Sequence, residues 1–117
     1  MKDFLFINTK DMEWNEPFEG VKRTILQGNN LTICLYNLKA GLVFPAHSHE
    51  NEQMAYIIKG KVEFSIGEEG EKHIFEEGMF FAFGPNVKHG AKFLEDSIVV
   101  DVFSPPMKDY EKEALKP

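Results

Sequence analysis

His47 and His49 stand one residue apart in the run Gly41-Leu42-Val43-Phe44-Pro45-Ala46-His47-Ser48-His49-Glu50-Asn51-Glu52-Gln53. In an extended chain alternate side chains share a face, so the two imidazoles project together as a ready metal pair. A chain reversal through Glu50-Asn51-Glu52 brings Gln53, at the start of the next apolar run, beside them. His89 arrives from a later turn, Gly84-Pro85-Asn86-Val87-Lys88-His89-Gly90. Four neutral nitrogen and oxygen donors suit one divalent transition metal: zinc, nickel, iron or manganese. A lone His-x-His is equally what two surface histidines look like, so the pair alone leaves both readings open.

A carboxylate with chemical potential lies in Ile98-Val99-Val100-Asp101-Val102-Phe103. By alternation Asp101 shares a face with Val99 and Phe103, either at the mouth of a cavity or on the solvent side of a strand. In the first case burial raises its pKa toward acid/base values, because an unpaired buried carboxylate costs several kcal/mol. Tyr56 is a candidate pocket hydroxyl, and the phenylalanines, Phe44, Phe64, Phe80, Phe81, Phe83 and Phe93 among them, read mostly as core. His73, in a charged alternating stretch, reads as solvent-facing. Cys34 reads as a small buried hydrophobe, and no nucleophile motif accompanies it.

The elements that must hold these groups are short. Leu31–Leu38, Met54–Ile58, Lys61–Ile66, Lys72–Phe75, Met79–Phe83 and Ser97–Phe103 each have strand length and are punctuated by Gly, Pro and Asn, which suits hairpin turns. Almost nothing has a sustained helical period, so the chain is expected to be all-β, a two-sheet sandwich or closed barrel with consecutive strands mostly antiparallel neighbours. Lys108–Lys116, after Pro105-Pro106, is rich in helix formers and predicts a short surface helix. The apolar segment Phe4–Ile7 could add a strand to its own sheet or to that of a second chain.

The 117 residues suit one domain, residues 1–117, since two halves would each bury too little surface. A net charge of -6 makes nucleic acid and anionic membrane poor partners. The single cysteine excludes an intrachain disulfide and a multi-thiolate zinc site, which fits a reducing compartment. The apolar run within Met1–Lys10 is too brief for a signal core or membrane span. The expected compartment is the cytoplasm.

Gly41, five residues, His47-x-His49, three residues, Gln53, six residues and Gly60 together resemble the first motif of the cupin superfamily, and Gly78 to His89 resembles its second. The resemblance implies a double-stranded β-helix, the cupin jelly-roll barrel. Trp14, Glu52-Gln53, Asn86-Val87-x-His89-Gly90 and Asp101-Val102-Phe103-Ser104-Pro105-Pro106 narrow it to small single-domain cupins of the pectin degradation protein KdgF type. For that group it implies metal ligands at His47, His49, Gln53 and His89, an acid/base at Asp101, a pocket wall at Phe103 and a homodimer. It also implies opening of unsaturated uronate monomers, from pectin or alginate breakdown, into linear keto acids.

The chain departs from the pattern at three places. Gln53 fills the usual glutamate position with Glu52 beside it; alternation allows only one inward, and Gln53 is favoured. Gly78-Met79 replaces Gly-Asp at a turn. Met107 stands where the family carries an arginine, and a thioether cannot hold a uronate carboxylate as a guanidinium would. Arg23, the only arginine, either points into the barrel as the substitute or is a surface or ion-paired residue. Three functions are therefore expected in order: a metal-dependent sugar-acid ring-opening enzyme, an iron-dependent dioxygenase, or a metal-supported module that binds a small acid without turnover.

Overall fold

The computed structural model describes residues 3–117; the first two residues of the Met1–Lys10 run lie outside it. Ten strands make two sheets: β1 (Asn15–Phe18), β2 (Val21–Gln27), β3 (Thr32–Leu38), β4 (Val43–His47), β5 (Glu52–Lys59), β6 (Lys61–Ile66), β7 (Glu71–Glu76), β8 (Phe80–Phe83), β9 (His89–Phe93) and β10 (Ser97–Ser104). The first sheet has the order β1-β2-β3-β10-β5-β8 and the second β4-β9-β6-β7. Every strand pair is antiparallel. The two sheets form a jelly-roll barrel, as the resemblance implies, with side chains alternating in and out along each strand.

Alternation is sharpest in the central strands. In β10, Ser97, Val99, Asp101 and Phe103 are buried while the residues between them are half-exposed, and in β3 Thr32, Cys34, Tyr36 and Leu38 face the same way. The register sets Asp101 beside Cys34 and Ala55, and Phe103 beside Thr32 and Gln53. Cys34 is fully buried among Ile25, Ile57, Val62, Phe64, Phe83 and Val99, and desolvation pushes its thiol up to about 12, so it packs as a hydrophobe.

Consecutive strands are neighbours only at β1–β2, β2–β3 and β6–β7, which corrects the expectation of a chain built mostly from hairpins. The chain crosses between sheets instead, since a jelly roll buries both inner faces by alternating them. Gly60 makes one such crossing between β5 and β6, at φ 106° and with no room for a Cβ, which would lie 2.1 Å from Ser97 Oγ. Phe80 is 80% exposed on the outer face of β8, so it is not a core residue.

The C-terminal helix is a single 3-10 turn over Lys108–Tyr110. Its continuation is drawn off the helical path because Leu115 joins the edge of β2: its N–H donates to Ile25 O and its carbonyl accepts from Gln27 N, both at 2.9 Å. This strap carries Glu113 to Arg23, whose Nε and Nη2 donate to Glu113 Oε2 and Oε1 at 2.9 and 2.7 Å. The Phe4–Ile7 segment makes no strand with its own sheets, and Phe4 and Phe6 are 72% and 84% exposed.

The hydrogen bonds from Arg23 hold the Glu113 carboxyl below the usual carboxylate range. A carboxylate whose folded pKa is depressed contributes stability above its unfolded pKa, near 4.3, and loses it as pH falls through the lower folded value. Glu113→Gln is therefore expected to cost about 2 kcal/mol at neutral pH. The gap from the unmodified protein should close below about pH 4. Denaturant melts of both proteins between pH 3 and 7 check this, and a pH-independent gap would contradict it.

Candidate metal centre

The three histidines come from three places in the fold. His47 ends β4, His49 follows it in the turn before β5, and His89 begins β9, paired in register with His47. Such an approach of β4 to β9 requires Gly90, since a Cβ there would sit 2.9 Å from Ala46 N and 3.1 Å from Phe44 O. The ring centroids are 4.8 to 5.6 Å apart, and one nitrogen from each ring lies within 4.8 Å of the others. His89 is 5% exposed and stacked on Phe83 at 4.4 Å. Burial holds its pKa down and favours the neutral, ligating form.

Each imidazole is oriented by a backbone carbonyl two residues away. Nδ1 of His47 faces Pro45 O at 3.2 Å, Nδ1 of His49 faces Asn51 O at 2.9 Å, and Nδ1 of His89 faces Val87 O at 2.9 Å. A carbonyl oxygen only accepts, so in the neutral rings the proton sits on Nδ1 and Nε2 carries the lone pair. This is the arrangement that supports metal ligation. Gln53 adds the fourth donor. Its amide nitrogen donates to Asp101 Oδ1 at 3.3 Å, which turns Oε1 toward His49 Nε2 at 3.1 Å.

The contact between Gln53 Oε1 and an unprotonated His49 Nε2 sets two acceptors face to face, with no hydrogen between them. A cation shared by both would relieve that repulsion, so the donor set fits a divalent transition metal bound through three imidazoles and one amide oxygen. Alternation along β5 also settles the choice between neighbours: Gln53 is 6% exposed and Glu52 lies outside.

These groups open onto a cavity of about 270 Å³ inside the barrel. Asp101 and Phe103 face it from β10. Burial raises the Asp101 carboxyl to about 7, opposed by the hydrogen bond from Gln53. Phe103 meets His49 edge-on at 5.8 Å. Arg23 reaches the wall, held from behind by Glu113, which does not itself line the cavity, and lies 4.6 Å over the Tyr110 ring, while Met107 lines the wall without charge.

Tyr56 belongs elsewhere. Gln53, Ala55 and Ile57 point inward on β5, so Tyr56 projects from the outer face and packs on Phe80 at 4.7 Å; the alternation that selects Gln53 excludes it from the cavity. His73 is exposed on β7 beside Glu71. Sequence reading did not single out Tyr36 or Tyr110, whose hydroxyls meet at 2.6 Å on the cavity wall. Tyr36 carried a usable signal, since it shares the inward face of β3 with Cys34. Tyr110 carried none, because its place depends on the strap and not on any strand period.

The chain matches the Cupin domain family over residues 34–103. Among solved structures it is similar to KdgF from Halomonas sp., with 32% identity, coverage of 92% of this chain and 98% of that one, and a TM-score of 0.80. It is also similar to an RmlC-like cupin from Shewanella frigidimarina, at 25% identity, 94% and 96% coverage and a TM-score of 0.81. Ectoine synthase from P. lautus, 19% identical with 94% and 84% coverage and a TM-score of 0.78, shares the fold. No curated protein sequence matches the chain.

Asn51 couples the centre to the strap. Its backbone carbonyl holds His49, and its buried side chain donates to Pro105 O. Removing the side chain should free the His49 turn, so Asn51→Ala is expected to weaken metal binding about 10-fold with the fold retained. Competition with a chromogenic chelator measures this; an affinity equal to that of the unmodified protein would contradict it.

Proposed function

Since the chain belongs to the cupin family, with KdgF of Halomonas sp. among its similar structures, we propose that the whole chain is one metal-dependent cupin domain that opens the ring of unsaturated uronate monomers. The observation that carries this reading is the buried Asp101, joined through Gln53 to His49, one of three convergent imidazoles at the wall of one small cavity. His47, His49, Gln53 and His89 hold the cation. When bound, a divalent transition metal supplies a Lewis acid for substrate oxygens.

The chain's own residues do the rest. Phe103 offers an apolar face for the flat, unsaturated part of the ring. Asp101 moves the proton: the anomeric hydroxyl loses it as the C1–O5 bond breaks, which leaves an aldehyde at C1 and an enol at C5, and C4 gains one as the enol becomes the ketone. Atoms balance, because the reaction is an isomerisation. Arg23 Nη1, outside the Glu113 pair, donates to a substrate hydroxyl. Met107 adds no anchor for a carboxylate, which favours as a second reading a module that holds a small acid without turning it over.

Loss of the conjugated alkene absorbance of unsaturated galacturonate, followed beside a chelated sample and a protein-free blank, tests the proposal. Metal-loaded protein is expected to accelerate the loss, and Asp101→Asn to reduce the acceleration by at least about 100-fold while metal content is unchanged. A loaded trace that matches the blank would reject ring opening and direct attention to the binding module, or to oxygen uptake by the iron-loaded protein.

The outer face of the six-stranded sheet supports a homodimer. Ile33, Val102 and Met54 form one row, and Val100, Tyr56 and Phe80 the next, with Met54 and Phe80 54% and 80% exposed. Four strands at about 4.8 Å spacing and some five residues of length give roughly 300 Å² in projection. An apolar patch of that size marks an interface. With the exposed Phe4 and Phe6 of each chain laid against the other, it approaches the roughly 800 Å² per partner of a stable pair. The two rows themselves carry no charged side chain, Glu52 bordering them at the start of β5, so a second copy offers matching apolar rows in return. Sedimentation should give twice the chain mass and Phe80→Glu the monomer; a monomeric unmodified protein would contradict it. No helix among the described residues is long and apolar enough to cross a membrane, and the buried free Cys34 supports a cytoplasmic setting.

A further inference from the structure

The far wall of the cavity holds a cation whose charge is already matched. Arg23 is the one Lys or Arg among the cavity's lining residues. Its row on β2 is set by Tyr36 and, across β3, by Val99, while the Gln53 row is set by Phe103. Those rows are four residues apart on β10, about 13 Å of strand, and both border the same cavity of about 270 Å³.

Glu113 occupies the guanidinium in bidentate fashion, at 2.9 and 2.7 Å, with the two side chains only 13% and 21% exposed. A pair this dry is weakly screened and geometrically selective. Glu113 is also tied by Asn15 Nδ2 at 3.3 Å, and the Leu115 hydrogen bonds to β2 anchor the strap two residues later. The Tyr36 and Tyr110 hydroxyls on the same wall are engaged with each other. A second ligand carboxylate arriving here would meet a cation already matched by a carboxylate, whereas a hydroxyl carries no charge to be left unmatched.

We propose that Glu113 is a specificity-determining residue: by matching Arg23 at the far wall, it restricts the cavity to acids with one carboxylate and an uncharged far end, and rejects dicarboxylates of the same length. This rests on the uronate reading for its substrate class and adds a charge rule to it. It also gives Met107 a consequence, since a chain with an arginine there would carry a second, unmatched cation on the wall.

The test compares dissociation constants of zinc-loaded protein, at fixed ionic strength, for galacturonate and galactarate, which differ in the second carboxylate and in ring closure. Hexanoate and adipate make the same comparison without the sugar. The unmodified protein is expected to prefer the monoacid of each pair by about 10-fold or more, since an unmatched second charge costs at least one such factor. Glu113→Gln should tighten the diacids and cut that preference at least 5-fold. The double variant Arg23→Gln/Glu113→Gln, which has no cation to expose, should keep it. A merely structural role would weaken both members of each pair alike in both variants.

A preference for diacids in the unmodified protein would overturn the proposal whether or not any variant folds, and so would a preference unchanged by Glu113→Gln. Monoacid selection seen only with hexanoate and adipate would sink the uronate reading and leave the role of Glu113 standing. Binding of no acid would sink both.

Discussion

Three hydrogen bonds from histidine Nδ1 to backbone carbonyls two residues away are the constraint on which the site depends. They fix the tautomer of each ring, and with it the direction of the Nε2 lone pair. Because the acceptors are main-chain atoms, the orientation of each ring is inherited from the path of β4, of the turn before β5 and of the loop before β9. The close approach at Gly90 and the stacking of His89 on Phe83 then bring the three paths together. Small displacements of these strands would separate the rings.

The same barrel wall divides the cavity by charge. Near the histidines, Gln53 and Asp101 are linked by one hydrogen bond, which sets a buried carboxyl beside a neutral amide on adjacent strands. Farther in, the wall is aromatic and ends at an ion pair supplied half by β2 and half by the C-terminal strap. The strap is therefore part of the pocket. It brings Met107 and Tyr110 to the wall and Glu113 to Arg23, and its attachment to the edge of β2 through Leu115 makes pocket shape and barrel closure one structural event.

Much of this was legible in the residues because it follows period-2 alternation. His47 with His49, Gln53 over Glu52, and Asp101 with Val99 and Phe103 are all consequences of a side chain pointing opposite to its neighbours. Tyr56 was legible on the same rule, which turns it outward once Gln53 is inward. The links between strands were not. Glycine- and proline-marked turns read alike whether they join hairpin partners or cross between sheets, so the jelly-roll order comes from burying two inner faces and not from turn chemistry. The β4 and β9 strands are short and interrupted by Pro45 and Gly90, which hides them from a search for apolar runs. The pairs Arg23–Glu113 and Tyr36–Tyr110 span 90 and 74 positions, and no local pattern encodes them. Lys108–Lys116 has helical composition, but the two hydrogen bonds of Leu115 to β2 hold its end extended.

Imidazole nitrogen NMR on the uniformly labelled, metal-free protein at neutral pH, followed by titration with zinc, tests the convergence of three Nε2 lone pairs most directly. The account predicts that His47, His49 and His89 carry their proton on Nδ1, and that all three Nε2 resonances shift together at one zinc per chain while those of exposed His73 stay in place. Protonation at Nε2 in any of the three, or a zinc-induced shift confined to one or two of them, would contradict it.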